Sequence, residues 1–366
     1  LSRGMRFRIL AAADLAGACA GFVAGLAVAF LFRSYWALFS AQLATAAVTV
    51  GIVWAASRFR PGRPALDREV AAMIGFGASV SGFNVLNFLA RNADNVLIAR
   101  FHGASALGLY DRAYRLLLFP LQQIALPLNR VMVPYLSRRQ GDAEGYRRGY
   151  ATAITVLLAL VQPGILTAVM FAPAVFLVLL GPQWSEAAPI FAWLGLAGLH
   201  QAMTSTLGWL FLSQGRGRAY LVLGAAGSSI TLAAFVAGLP GGPLGVAMAY
   251  AISDLLLKLP LAWWIATRAG PIRLADLIRI ALPHAVALAV AAAALAVAGA
   301  AVRDAGFVEL AALTVLAYAA YGGAILAFGE KRRLLSRQAG RVASHFGRRP
   351  AVAARQNLTA RTRGTG

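Results

Sequence analysis

Apolar residues in this chain come in long unbroken runs rather than in the short alternations of a soluble fold. Crossing the hydrocarbon core takes about 20 apolar residues of helix. On that measure ten spans are predicted, at 9–32, 35–57, 70–90 (continuing in helical pattern to 101), 105–136, 150–180, 187–213, 219–238, 244–267, 274–299 and 307–328. The punctuation between them is Arg-Pro-Gly-Arg-Pro at 60–64, Gly-Pro at 181–182, Pro-Gly-Gly-Pro at 240–243 and Gly-Pro at 270–271, all turn formers. The fold class is therefore all-α, a polytopic membrane helix bundle. Past Glu330 the periodicity gives way to Arg, Gly, Ala and Ser, which predicts a disordered basic tail lying near anionic headgroups.

Composition agrees with a bilayer as the main solvent. Of 366 residues, 60% are hydrophobic and 13% charged, against about 25% charged in an ordinary soluble domain. The net charge of +21 raises nucleic-acid binding only until the basic residues are placed. With the N-terminus cytoplasmic, 26 of the 34 fall in segments on the cytoplasmic side, two on the other (Arg33 and Arg303), and six inside spans. That is the positive-inside pattern, with both ends of the chain cytoplasmic, and it removes nucleic acid as a partner. The single cysteine, Cys19, excludes a disulfide framework, and the four histidines show no metal spacing. His200, inside a span, reads as a hydrogen-bonded core residue ahead of a proton relay. Neither lysine sits in a nucleotide-binding pattern, and the outer loops are too short for a catalytic domain. The expectation is a protein that is not an enzyme and needs no cofactor or metal.

Ionisable groups within spans are expensive and usually face a partner or a wet cavity. Here they are Asp14, Arg91, Asp94, Arg100, Asp111, Arg112, Arg115, Arg130, Asp254 and Lys258. Their excess of two positive charges favours an anion if they converge. On the third span Asn84, Asn87, Arg91 and Asp94 share an arc of roughly 80°. On the fourth Asp111, Arg115, Gln122 and Asn129 share about 40°, opposite Pro120, Pro127 and Pro134, which bend the helix. Both stripes read either as hydrogen bonds that hold helices together or as the lining of a polar groove. Asp111/Arg115 and Asp254/Lys258 are i,i+4 pairs that can neutralise themselves. Arg91 and Arg115, on helices joined by a short turn at 102–105, are placed to meet one anion.

The stretch 88–142 resembles the signature region of polysaccharide (Wzx-type) flippases, relatives of the lipid II flippases and MATE exporters in the MOP exporter superfamily. The resembling residues are Arg91-Asn92, Asp94, Leu97-Ile98, Gly103, Ala106-Leu107-Gly108, Tyr110, Ala113-Tyr114 and the three prolines, ending in Pro134-Tyr135-Leu136-Ser137. The likeness extends to Tyr35-Trp36-Ala37-Leu38 and Gly181-Pro182-Gln183-Trp184. Such flippases have about fourteen spans, in two six-helix lobes plus two further helices, and the ten predicted here match the fifth to the fourteenth. The resemblance thus implies the end of a first lobe at 1–57, a cytoplasmic loop at 58–69, a second lobe at 70–268, two additional helices at 269–329 and the tail at 330–366. It also implies that four preceding helices are missing, since Arg3-Gly4-Met5-Arg6-Phe7-Arg8 is similar to the loop before the family's fifth helix.

The implied activity is flipping of an undecaprenyl-pyrophosphate-linked oligosaccharide across the bacterial inner membrane by alternating access, for exopolysaccharide, capsule or O-antigen synthesis. The implied partners are that lipid-linked oligosaccharide, membrane lipid, and the polysaccharide polymerase and export machinery. Arg91, Arg115, Asn84, Asn87, Gln122, Asn129 and Lys258 are the candidate substrate contacts, and Asp94, Asp111 and Asp254 the candidates for ion coupling. A MATE-like drug exporter shares the implied fold but calls for net acid in its cavity. A polytopic glycosyltransferase or polymerase calls for a large outer loop.

Overall fold

A computed structural model describes the backbone of residues 7–57, 68–300, 302 and 305–328. Residues 58–67 of the loop expected at 58–69, the tail from 330 and the Gln122 side chain lie outside the described residues, and residues 68 and 69 already belong to a helix. Everything regular among those described is helical: α1 (Phe7–Phe32), α2 (Trp36–Ser57), α3 (Arg68–Ser137), α4 (Ala143–Met170), α5 (Ala172–Leu180), α6 (Ala187–Ser205), α7 (Leu207–Ser213), α8 (Gly217–Gly238), α9 (Gly242–Ser253), α10 (Leu259–Thr267), α11 (Leu274–Gly299) and α12 (Phe307–Ala327).

At 70 residues, α3 would reach about 105 Å if straight, against a hydrocarbon core of about 30 Å. Gly103 breaks it, with φ 84° and ψ 177°, a conformation essentially closed to residues bearing a Cβ. The limbs 68–102 and 104–137 fold back on each other: the Tyr110 hydroxyl donates to Asp94 Oδ2 at 2.9 Å, whereas sixteen residues of straight helix would separate them by about 24 Å. The reversal takes one residue rather than the expected turn over 102–105. The stretch from α8 to α10 also doubles back, at Leu239–Gly241 and at Gly242 with φ 66°. His102 Nε2 meets the Leu239 carbonyl oxygen at 2.8 Å, tying the two tips together.

Seven stretches are long and apolar enough to cross a membrane, and two of them, of 50 and 51 residues, are these doubled-back segments. With α6, which is less apolar because it carries His200 and Gln201, the described residues make ten traverses. This is a multi-pass membrane protein, and its outer surface agrees: Phe22, Phe30, Trp36, Met73, Val297 and Val315 are all exposed.

Several spans differ in detail from the apolar pattern. The traverse expected to start at 150 begins at Ala143, because Asp142 caps it and accepts from the Gly145 N–H at 2.8 Å. It stops at Met170 and restarts as α5, where Pro173 has no N–H to continue the ladder. Between α9 and α10 the helix widens into a π turn, Asp254–Lys258, with the Leu259 N–H donating to the Asp254 carbonyl. Pro260 follows; it cannot donate to residue 256 and its ring crowds that carbonyl, and a widened turn relieves both.

Packing sorts these helices into three groups. α1 lies against α2, Gly17, Gly21 and Gly25 of α1 meeting Thr49, Thr45 and Ala41, the small-residue contact that lets membrane helices approach closely. A core containing Tyr146, Tyr150, Phe176, Leu194, Trp209 and Phe211 unites α3 to α10. α11 and α12 pack on each other and on α4 through Ala287, Ala291, Leu295, Leu313 and Ala317 with Leu166. There the Tyr321 hydroxyl donates to Gln162 Oε1 at 2.6 Å. Its oxygen is thereby left to accept from His284 Nδ1, which places a proton on that nitrogen.

Candidate functional site

A cavity of about 270 Å³ lies inside the α3–α10 group. The α3 hairpin contributes Phe83, Asn87, Arg91, Asp94, Tyr110 and Tyr114. α6 supplies Gln201, Thr204 and Ser205, and α8 supplies Tyr220, Ser228 and Thr231. Tyr250 comes from α9, and Asp254 and Lys258 from the π turn. Folding at Gly103 sets residue i opposite roughly 205 − i, so Arg91 faces Tyr114 and Asp94 faces Tyr110. Both pairs are bonded, Arg91 Nε donating to the Tyr114 hydroxyl at 3.2 Å. Arg91 lies twelve residues from the tip, about 18 Å of helix, so a tip at the membrane surface puts it close to the bilayer midplane.

Asp94 is almost completely buried and accepts from both the Tyr110 hydroxyl and the Asn95 N–H, the latter at 2.8 Å. Asp254 is buried across the cavity, with Lys258 Nζ 2.6 Å from Oδ1 and His200 Nε2 3.3 Å from Oδ2. The π turn stacks its first and fifth residues on one side, and Lys258 bends over the Tyr250 ring at 5.6 Å. Gln201 donates to the Tyr250 hydroxyl at 2.6 Å. Among the described residues no carboxylate lies within ion-pair distance of Arg91, and only its Nε is hydrogen-bonded. Its side chain stays accessible while its Nε is held by a neutral phenol.

The remaining candidates are dispersed. Arg115 does not converge with Arg91: it is largely exposed, pairs with Asp111 at 2.7 Å, and borders a shallow concavity with Asn95 and Gly108. Arg115 lies on a face turned away from the one carrying Tyr110 and Tyr114. Asn84 is exposed and outside the cavity, and Asn129 accepts from Trp209 Nε1, a bond between helices. The expected positive excess is not built into the cavity, where Arg91 and Lys258 are matched by Asp94 and Asp254. The other cations are elsewhere: Arg130 and Arg115 are matched by Asp14 and Asp111, and the surplus two are Arg112, over Trp184, and Arg100, by Phe101. Sequence reasoning passed over Tyr114, Gln201, Tyr220 and Tyr250. Reflection about Gly103 would have found Tyr114, while the other three depend on tertiary packing.

The helical hairpins and the polar cavity between them define a polytopic membrane helix bundle. A solved structure of the lipid II flippase MurJ, in an inward closed conformation, superposes with a TM-score of 0.59 at 13% identity, covering 85% of this chain and 67% of that one. Residues 1–189 match the family model described as "Polysaccharide biosynthesis protein", and the chain belongs to that family. Teichuronic acid biosynthesis protein TuaB of Bacillus subtilis (strain 168) is 30% identical over 220 residues, 59% of this chain and 45% of TuaB. Lipopolysaccharide biosynthesis protein WzxC of Escherichia coli (strain K12) is 26% identical over 43% of this chain and 32% of its own length. Succinoglycan biosynthesis transport protein ExoT of Rhizobium meliloti (strain 1021) is 27% identical over 54% of this chain and 40% of its own. The chain spans less than half the length of the curated relatives it matches.

Proposed function

We propose that this chain forms part of a flippase that carries an undecaprenyl-pyrophosphate-linked oligosaccharide across the bacterial inner membrane, with both ends of the chain in the cytoplasm. The observation that carries this reading is Arg91: a guanidinium at mid-bilayer depth, open to a cavity of aromatic rings, amides and hydroxyls, and free of any carboxylate partner among the described residues. A pyrophosphate needs such a donor, and arginine offers it two parallel N–H groups. Sugar rings, with polar edges and apolar faces, suit tyrosines beside Gln201, Thr204 and Ser205, and the lipid tail stays in the bilayer. Rocking of two helix groups about the polar path gives each side access in turn. The Asp254–Lys258–His200 cluster is a candidate for ion coupling, and the polysaccharide polymerase and export machinery would take up the flipped product.

The test is glycan export in cells lacking the native gene and supplied with the full-length protein. Arg91→Ala is expected to abolish export at normal membrane abundance, and Arg91→Lys to restore part of it, because the charge survives while the fork does not. Full export by Arg91→Ala at normal abundance would remove this residue from substrate binding. Uptake of a fluorescent organic cation by vesicles, with glycan export unaffected by deleting the gene, would favour a MATE-like exporter instead.

A further inference from the structure

We propose that the Asp14–Arg130 ion pair is a latch between the α1–α2 pair and the α3–α10 bundle, and that it holds the cytoplasmic side of the translocation path shut. Arg130 Nη1 lies 2.7 Å from Asp14 Oδ2. The partners come from helices with separate packing: α1 rests on α2, whereas α3 belongs to the large core. Neighbouring residues show how each charge is presented. Ala13 is buried against α2, where its carbonyl accepts from Thr49, and Asp14 is turned off that face. Asn129 points into the bundle toward Trp209, and the next residue, about 100° further round the helix, points out of it.

Depth gives an independent argument. Asp14 is seven residues from the start of α1 and Arg130 seven from the end of α3, each about 10 Å along its helix. These two ends share a side of the membrane, since α3 leaves on the side from which α1 enters. Arg8, Arg138 and Arg139 flank them, which makes it the cytoplasmic side by the positive-inside pattern. The two charges meet at one level, inside the hydrocarbon and short of the cavity.

Three features make this a latch rather than a fixed staple. The side chains are 66% and 48% exposed in this chain, so neither is sealed in the α3–α10 core. The surfaces of α1 and α2 are otherwise largely free of the bundle, α2 contributing no buried residue. Two separated charges at this depth are tolerable only in water, so the pair parts when the cleft between the groups hydrates, which is what opening to the cytoplasm means. The latch rests on the alternating-access reading given under Proposed function, whose own failure is distinct: the parent protein would then fail to restore glycan export.

The experiment uses the full-length protein with Cys19→Ala, in cells that depend on it for export. Asp14→Cys with Arg130→Cys is expected to cross-link through a short, cleavable bifunctional thiol reagent; export then stops and returns on cleavage. Asp14→Asn and Arg130→Gln are each expected to lower export severalfold at unchanged abundance, and the exchanged pair Asp14→Arg with Arg130→Asp to recover most of it. Continued export by the cross-linked protein would overturn the latch. So would single variants that export like the parent, or that lower abundance and export together.

Discussion

The packing of α1 on α2 depends on three glycines one turn apart, and Gly21 is the tightest. A Cβ on Gly21 would lie 2.0 Å from Thr45 Oγ1 and 2.7 Å from the Ala41 carbonyl oxygen. Thr45 cannot swing away freely, since its hydroxyl donates to that same carbonyl at 2.8 Å. Because the carbonyl is backbone, Gly21→Ala has to push the helices apart by about 0.7 Å, enough to forfeit a quarter to a half of each contact along the seam. Overpacking of this kind costs about 1–3 kcal/mol. Gly51 on α2 has nothing within 4 Å of its would-be Cβ, so Gly51→Ala carries no such cost. Both changes gain the same helix propensity, about 0.8–1 kcal/mol, and the gain cancels between them. Heating each variant in mild detergent and following loss of the monodisperse peak should place Gly51→Ala at or above the parent and Gly21→Ala below Gly51→Ala by several degrees. Equal midpoints for the two alanines would refute the close-packed seam.

Three other outcomes follow from particular contacts. Asp254→Asn alone leaves the half-buried Lys258 without its counter-charge and should destabilise by about 1.5–3 kcal/mol; adding Lys258→Met should recover much of the loss in the same melting assay. Gly103→Ala meets no neighbouring atom, so its expected cost of about 1–3 kcal/mol is backbone strain alone, seen as reduced membrane abundance. A reporter active only in the cytoplasm should be active in the turn after Ser137 and dark within 240–243; the reverse pattern would invert the proposed orientation.

The helix content and the rhythm of traverses were legible because apolar length and Pro-Gly punctuation are local properties. Which way a stripe faces was legible only in part. The wheel grouped Asn87, Arg91 and Asp94, and the cavity keeps all three together, but it also admitted Asn84, which lies outside. It aligned Asp111, Arg115 and Asn129 along one helix, yet the structure gives the first two to a surface concavity and the third to Trp209. A wheel defines a shared face without saying which neighbour meets it. The π turn at Asp254–Lys258 left only an indirect sign, Pro260. His200 was expected in a hydrogen-bonded core environment; it lies beside Asp254, a contact between α6 and the π turn that no local pattern encodes.

The central claim is tested most directly by purified protein in vesicles whose lipid-linked oligosaccharide carries a fluorescent label. The fraction reachable by a quencher from one side is followed over time. The account predicts that the full-length protein equilibrates the label between leaflets, that Arg91→Ala leaves it where it started, and that Arg91→Lys gives an intermediate rate. Equilibration by Arg91→Ala at the parent's rate, or none by the parent, would contradict it.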